Sequence, residues 1–180
     1  MGTLDYSLIR IAGDVDEFDC GNASINQLVS RSLYPTLLKQ TRTYKISMKG
    51  HRIGFCSVSI LAISLEGSDA PIAESFEGTP TFAAVKLDYV AVDKRVQNRG
   101  IGTNVLDYVV DEARGLSKVW PVRILVLDAL REKLAWYTER GFQAINSSDL
   151  SSTTPTVRLY IDLISLEDAE KIAEYDYSLY

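Results

Sequence analysis

The residues best suited to chemistry lie in one short run, Gln97-Asn98-Arg99-Gly100-Ile101-Gly102-Thr103. The run follows an apolar, β-branched stretch that ends near Val92. It precedes a pattern in which Ile101, Val105, Leu106, Val109 and Ala113 recur at helical spacing. The first turn of a helix carries backbone N–H groups without intrahelical partners, and the helix dipole adds partial positive charge there. Such a turn suits an anion. Gly100 and Gly102 let the backbone approach a diphosphate with no Cβ in the way. Arg99 adds charge and donors, and Thr103 and Asn104 add polar groups beside the turn. The run is not a dinucleotide fingerprint, because no third Gly is in place, and it is not a P-loop, because no Gly-Lys-Ser/Thr occurs. On spacing alone, a helix start that needs glycines explains the run as well as anion binding does.

The order Arg/Gln-x-x-Gly-x-Gly/Ala after an apolar strand is the acetyl-CoA-binding signature of the GNAT superfamily of N-acetyltransferases. Residues 97–102 resemble it. A second element stands at the expected distance: Ile124-Leu125-Val126-Leu127-Asp128, then Leu134-Ala135-Trp136-Tyr137-Thr138-Glu139-Arg140-Gly141-Phe142. It is similar to the family's later motif, in which aromatic–Tyr is followed four residues on by Gly-Phe. The resemblance covers residues 53–142. At the N-terminal end, Glu17-Phe18-Asp19-Cys20-Gly21-Asn22 resembles a subfamily with a Phe-Asp-Cys-Gly segment. That subfamily includes acetyltransferase toxins of bacterial toxin–antitoxin pairs and non-toxin relatives.

The resemblance implies direct transfer of an acetyl group from acetyl-CoA, as co-substrate, to a primary amine. Carried over by position, Gln97, Asn98, Arg99, Gly100, Ile101, Gly102 and Thr103 would cradle the diphosphate. Val90, Ala91 and Val92 would offer backbone groups to the pantetheine arm and the thioester, and an N–H there could stabilise an oxyanion. Tyr137 would be the catalytic acid that protonates the departing thiolate; otherwise it is an aromatic packed on a helix's inner face. No base is specified, and Asp88, Glu74 and Glu77 are candidates. His51, the single His, lies in an expected turn. Cys20 and Cys56 read as small hydrophobes, with no activating base evident.

The chain also departs from the pattern. Leu130 and Lys133 stand where many relatives have Asn and Ala, and Tyr89 stands where the toxin relatives often have Arg. The leading acceptor at this level is therefore an amine of an unidentified small molecule or protein. The alternatives are a toxin that acetylates the amino group of aminoacyl-tRNA, and a catalytically silent acyl-CoA-binding module.

The elements that must position these residues follow from pattern. Strands are expected at 6–11, 41–48, 53–63, 82–92, 122–127 and 157–163, with a hairpin turn at 49–52. Helices are expected from Asn22 or Ser24 to about residue 33 before Pro35, at 101–116, and at 131–140 before Gly141. Residues 64–80 read as a long loop of the kind that is functional or mobile. Ser165-Leu166-Glu167-Asp168 resembles a capping box that opens a helical tail over 165–180. The sum is an α/β chain with a mixed, mostly antiparallel sheet flanked by helices. The resemblance adds a sheet splayed at its central parallel strands, within one N-acetyltransferase domain over 1–180.

Composition narrows the class. The 180 residues are 46% hydrophobic and 24% charged, as in an ordinary globular domain, so disorder and a disulfide scaffold are excluded. No apolar stretch reaches the roughly 20 residues of a membrane helix. The N-terminus has no basic-then-apolar leader, and two cysteines with one His make a zinc site improbable, so a reduced cytoplasmic protein without a metal is expected. The net charge of -5 disfavours general nucleic-acid binding. The six bases between Arg31 and Arg52, with no acid among them, are the exception. Residues 162–180 hold six acids against Lys171 and end in tyrosines, which suit contact with a neighbouring subunit, so a homodimer stays open.

Overall fold

The computed structural model describes residues 3–76, 78 and 81–177. They form two compact units, Met1–Leu61 with Val85–Val109, and Ala62–Ala84 with Val110–Tyr180. Among the described residues, seven strands and six helices make the mixed α/β, mostly antiparallel architecture that the patterning predicts.

In the first unit β1 (Leu4–Leu8), β2 (Thr41–Met48), β3 (His51–Ile63) and β4 (Phe82–Val92) stand in that order. β1 pairs antiparallel with β2, and β2 with β3. The expected opening strand begins and ends earlier than 6–11, because residues Ala12–Asp14 close into a 3-10 turn tied by the Asp14 carboxylate to the Arg10 and Ile11 N–H groups. β2 and β3 are joined by the two left-handed residues Lys49 and Gly50, the geometry that matches strand twist in a two-residue hairpin.

Helix α1 (Ala23–Arg31) is capped by Asn22, whose side chain accepts from Ile25 N at 3.1 Å. The helical stretch does not stop before Pro35. A second helix, α2 (Leu33–Leu37), holds Pro35 in its first turn, where a missing N–H costs nothing. Ile9, Val15, Val29, Phe55, Tyr89 and Ala91 form the core beneath these helices, with Phe18, Cys20, Ile25 and Leu33 packed on it. Helix α3 (Ile101–Ser117) presents Tyr108 to the sheet, stacked on Tyr6 at 3.8 Å between ring centroids.

In the second unit β5 (Ile124–Leu130), β7 (Thr156–Asp162) and β6 (Gln143–Ala144) stand in the order β5, β7, β6, all antiparallel. Ile124, Leu125 and Val126 are fully buried, as a continuous apolar run requires. Asp128 sits opposite Arg158 in the register and is paired with it at 2.8 Å. The helix expected at 131–140 is a 3-10 turn (Arg131–Lys133) followed by the short α4 (Leu134–Thr138).

Arg131 is drawn away from a continuous helix. It donates to the carbonyls of Asp149, Leu150 and Thr154 and to Ser152 Oγ, fixing the small helix α5 (Ser148–Ser151), which the sequence pattern did not foretell. The loop after β3 is pinned, not free: Ser68 Oγ donates to Ile145 O, and Asp69 accepts from Ser147 N and Oγ. The tail begins as predicted. Ser165 Oγ accepts from Asp168 N at 3.0 Å and opens α6 (Leu166–Tyr177). Residues 178–180 of that tail lie outside the described residues. No described helix is long and apolar enough to cross a membrane.

Candidate active site

The predicted anion turn is built from the end of β4 outward. Val90 and Val92 are half-buried and Ala91 is buried. β3 and β4 run in close contact here. A Cβ on Gly54 would lie 2.5 Å from the Ala91 carbonyl oxygen, so only glycine fits that position in β3. Asp93 N then donates to Ile53 O at 2.8 Å and closes the strand. The buried Asp93 carboxylate accepts from Arg95 N, Nε and Nη2 at 2.7–2.9 Å, which holds it well below the usual carboxylate range.

The chain next turns through Asn98 and Gly100, both left-handed with φ of 59° and 76°, and enters α3 at Ile101. The first helical bond runs from Asn104 N to Gly100 O. Gln97, Asn98, Arg99 and Gly100 are exposed, whereas Ile101 is buried and anchors the helix start. The result is an exposed bend at the start of a 17-residue helix, with Arg99 beside it. Its chemistry fits a diphosphate: main-chain N–H groups, an exposed guanidinium and no carboxylate between residues 94 and 106.

Gln97 does something its motif position does not reveal. Its side-chain Nε2 donates to Cys20 O at 2.8 Å and to Val92 O at 2.9 Å. The Phe18-Asp19-Cys20-Gly21 segment therefore lies against the turn. The resemblance gives that segment no role; its Asp19 and its Cys20 carbonyl meet Lys94 and Gln97, some 75 residues away.

Asp88, a candidate base, is half-buried and accepts from Ser57 Oγ at 3.3 Å and Ser59 Oγ at 2.9 Å. Its neighbour Tyr89 is buried, with its hydroxyl beside Ser32 and Thr43. Thr43 Oγ1 donates to Ser57 Oγ at 3.1 Å. Asp88 is half-buried and Tyr89 is buried, the alternation expected of successive residues in a regular strand. Desolvation raises the Tyr89 hydroxyl above its ordinary value.

The remaining candidates fall elsewhere. His51 is exposed at the hairpin, and Glu74 is exposed in a short 3-10 turn, Ala73–Phe76, of the second unit. Glu77 lies outside the described residues. Cys56 is fully buried and its thiol is pushed up to about 12 by burial, so it is inert. Cys20 is half-buried with its thiol on Asn26 Oδ1 at 3.0 Å.

Tyr137 belongs to the second unit, on α4. Its ring meets Trp136 and Phe142 edge-on at 4.7 and 5.7 Å, and its carbonyl accepts from Phe142 N. Gly141, left-handed with φ of 87°, makes the return that sets Phe142 against it. Burial pushes the Tyr137 phenol up to about 12. The hydroxyl makes no hydrogen bond among the described residues, so the proton on it is uncommitted. Leu130 ends β5, and Lys133 is exposed ahead of α4.

The geometry can be set beside known proteins. No family model matches the chain, and no curated protein matches it. Solved structures do. A tyrosine-to-phenylalanine mutant of KacT is 21% identical, with a TM-score of 0.75 over 92% of this chain and 98% of that one. AtaT complexed with acetyl-methionyl-tRNAfMet is 16% identical, with a TM-score of 0.73 over 94% and 99%. This chain has their fold. A tyrosine-to-phenylalanine mutant of the AtaT toxin, bound to the C-terminus of the antitoxin AtaR and to acetyl-CoA, is 16% identical, with a TM-score of 0.67 over 89% and 94%. The mixed, mostly antiparallel α/β fold expected from the resemblance to N-acetyltransferases is thus the fold observed.

Proposed function

We propose that the chain is a single-domain, acetyl-CoA-dependent N-acetyltransferase whose acceptor is the amino group of an aminoacyl-tRNA, the reaction of a growth-arresting toxin. The observation that carries this reading is the likeness to AtaT, solved with acetyl-methionyl-tRNAfMet, along nearly the whole of both chains. The solved AtaT–AtaR complex supports a partner antitoxin, and the reading implies a cytoplasmic setting. It replaces the small-molecule or protein amine as the leading acceptor. That second reading keeps one support, the net charge of -5. The local charge opposes it: Lys45 is spent on Asp14, and Arg52 on the Asp14 and Asp16 carbonyls, but Arg31, Lys39, Arg42 and Lys49 of the basic block are exposed.

The roles proposed for each unit's residues are those the resemblance implies. Acetyl-CoA supplies an acyl group already activated as a thioester. The turn from Gln97 to Thr103 holds the diphosphate with main-chain N–H groups and Arg99, and the end of β4 at Val90, Ala91 and Val92 lines the arm. Tyr137 holds the proton that the departing sulfur needs. A phenol near 12 gives its proton to a thiolate of ordinary affinity, near 8.5, uphill by roughly 5 kcal/mol. The deficit shrinks where the sulfur is desolvated too. Burial acts in the same direction on the thiol of Cys56.

The test is transfer of label from radioactive acetyl-CoA to aminoacyl-tRNA by the purified protein. Label on the aminoacyl group, lost in Tyr137→Phe, is the expected result. Label on small amines or peptides and none on aminoacyl-tRNA would return the acceptor to the second reading. Binding of acetyl-CoA with no transfer to any amine would leave a silent acyl-CoA module.

A further inference from the structure

We propose that Gln97 and Asp19 are positioning residues, a clasp that sets the diphosphate turn through side-chain bonds to protein groups and not through contact with the ligand. The proposal rests on the acetyl-CoA reading above. The turn between β4 and α3 runs through two left-handed residues and is exposed from Gln97 to Gly100. Neither a strand ladder nor a helix holds such a segment, and its shape decides where the N–H groups of the helix start will point.

Besides the local bonds of Arg95 and Val96 to Asp93, two sets of bonds tie it to its surroundings. Gln97 Nε2 donates to the carbonyls of Val92, at the end of β4, and Cys20, in the Phe18–Gly21 segment. Lys94 N donates to Asp19 O at 2.9 Å, and Lys94 Nζ pairs with Asp19 Oδ2 at 2.6 Å. The other oxygen of Asp19 accepts from Gly21 N at 2.7 Å and from Asn26 Nδ2 at 2.8 Å. Asn26, on α1, returns its Oδ1 to Cys20 N at 2.9 Å. A continuous path therefore runs from α1 through Asp19 and Cys20 to the turn that opens α3. The Gln97–Cys20 and Lys94–Asp19 bonds join groups some 75 residues apart in sequence, and the side-chain amide of Gln97 is spent on two carbonyls.

This gives a physical reason for a motif that accepts Arg or Gln at its first position. Both side chains can donate two N–H bonds to two carbonyl oxygens. Glu, nearly the same shape as Gln, can donate none at neutral pH and would face both carbonyls with a negative charge.

The experiment compares Gln97→Glu, Gln97→Arg and Asp19→Asn with the unaltered protein. Asp14→Asn is the control, because Asp14 pairs with Lys45 in the same unit but lies outside the clasp. Two quantities are read: acetyl-CoA affinity by calorimetry, and amide hydrogen exchange of residues 97–103 in the free protein. Gln97→Glu and Asp19→Asn are expected to weaken affinity by about tenfold or more, the scale of one lost hydrogen bond, and to speed exchange in the turn. Gln97→Arg is expected to stay within about threefold of the unaltered protein, and Asp14→Asn to lose stability without losing affinity. Should Gln97→Glu fail to fold, Gln97→Met removes the donors without adding charge.

Unchanged exchange and affinity in Gln97→Glu, or Gln97→Arg as weak as Gln97→Glu, would overturn the clasp. If the unaltered protein binds no acetyl-CoA, the transferase reading fails on its own, and the exchange measurement still decides whether the clasp sets the turn.

Discussion

Replacing Gly54 with Ala sets two effects of opposite sign against each other, and the measured sign reports how closely β3 lies on β4. Gly54 is not left-handed, so Ala can adopt its backbone conformation. In an open strand position, Ala in place of Gly stabilises by about 0.4–1 kcal/mol, chiefly because the unfolded chain has less freedom to lose. The added Cβ here meets the Ala91 carbonyl oxygen at 2.5 Å and Val92 Cα at 3.4 Å. The first contact is about 0.9 Å short of ordinary van der Waals distance, and the obstacle is backbone, which cannot rotate away. Overpacking of this kind typically costs about 1–3 kcal/mol. The net expectation is a loss of about 1–2 kcal/mol, or roughly 2–8 °C in Tm for a chain of this size. Moving Ala91 and Val92 also displaces the strand end proposed to line the pantetheine arm, so acetyl-CoA affinity falls with stability. Thermal unfolding and calorimetry on the same preparation read both. A variant with raised Tm and unchanged affinity would refute the close approach and its link to the site.

Three further outcomes are expected. Tyr137→Phe keeps its fold and its acetyl-CoA affinity, because the lost hydroxyl has no hydrogen-bond partner among the described residues, but single-turnover transfer falls by about a hundredfold or more; full transfer would remove Tyr137 from the chemistry. Gly100→Glu with Gly102→Glu abolishes acetyl-CoA binding in calorimetry while far-UV dichroism stays native, since two carboxylates would occupy the anion turn. Asp14 is held down to about 2, first by the Arg10 N–H and then by Lys45. A carboxylate depressed in the folded state stabilises above its unfolded value and stops doing so as pH falls through the folded one. Asp14→Asn therefore lowers the urea midpoint at pH 7, and the deficit closes between about pH 4 and 2; a deficit that persists at pH 2 would assign the loss to packing.

Local chemistry was legible without the fold. Residues 97–102 read as the start of an amphipathic helix after an apolar strand, and the helix starts there because glycines and a helical stripe are properties of neighbouring residues. The capping box at Ser165 and the hairpin between β2 and β3 were legible for the same reason. Two motifs in order, residues 97–102 and 134–142, were enough to point to the fold now shared with AtaT and KacT. Pro35 misled, because a proline's meaning depends on whether it falls in a first turn or an interior one, and only the cap at Ser32 decides that.

What tertiary structure alone decided are the contacts whose partners lie far apart in the chain. Gln97 reads as a ligand residue until its amide is seen on Cys20 and Val92. Asp19 reads as a loop acid until Lys94, Gly21 and Asn26 surround it. The Ala91 carbonyl lies against Gly54, a contact that no local pattern around residue 54 records. Arg131 reads as the start of a helix until the carbonyls of residues 149–154 claim its guanidinium. Residue type and short spacing determine backbone conformation and which groups are available to donate or accept. Which of them meet is set by packing of segments tens of residues apart, and no periodicity records that.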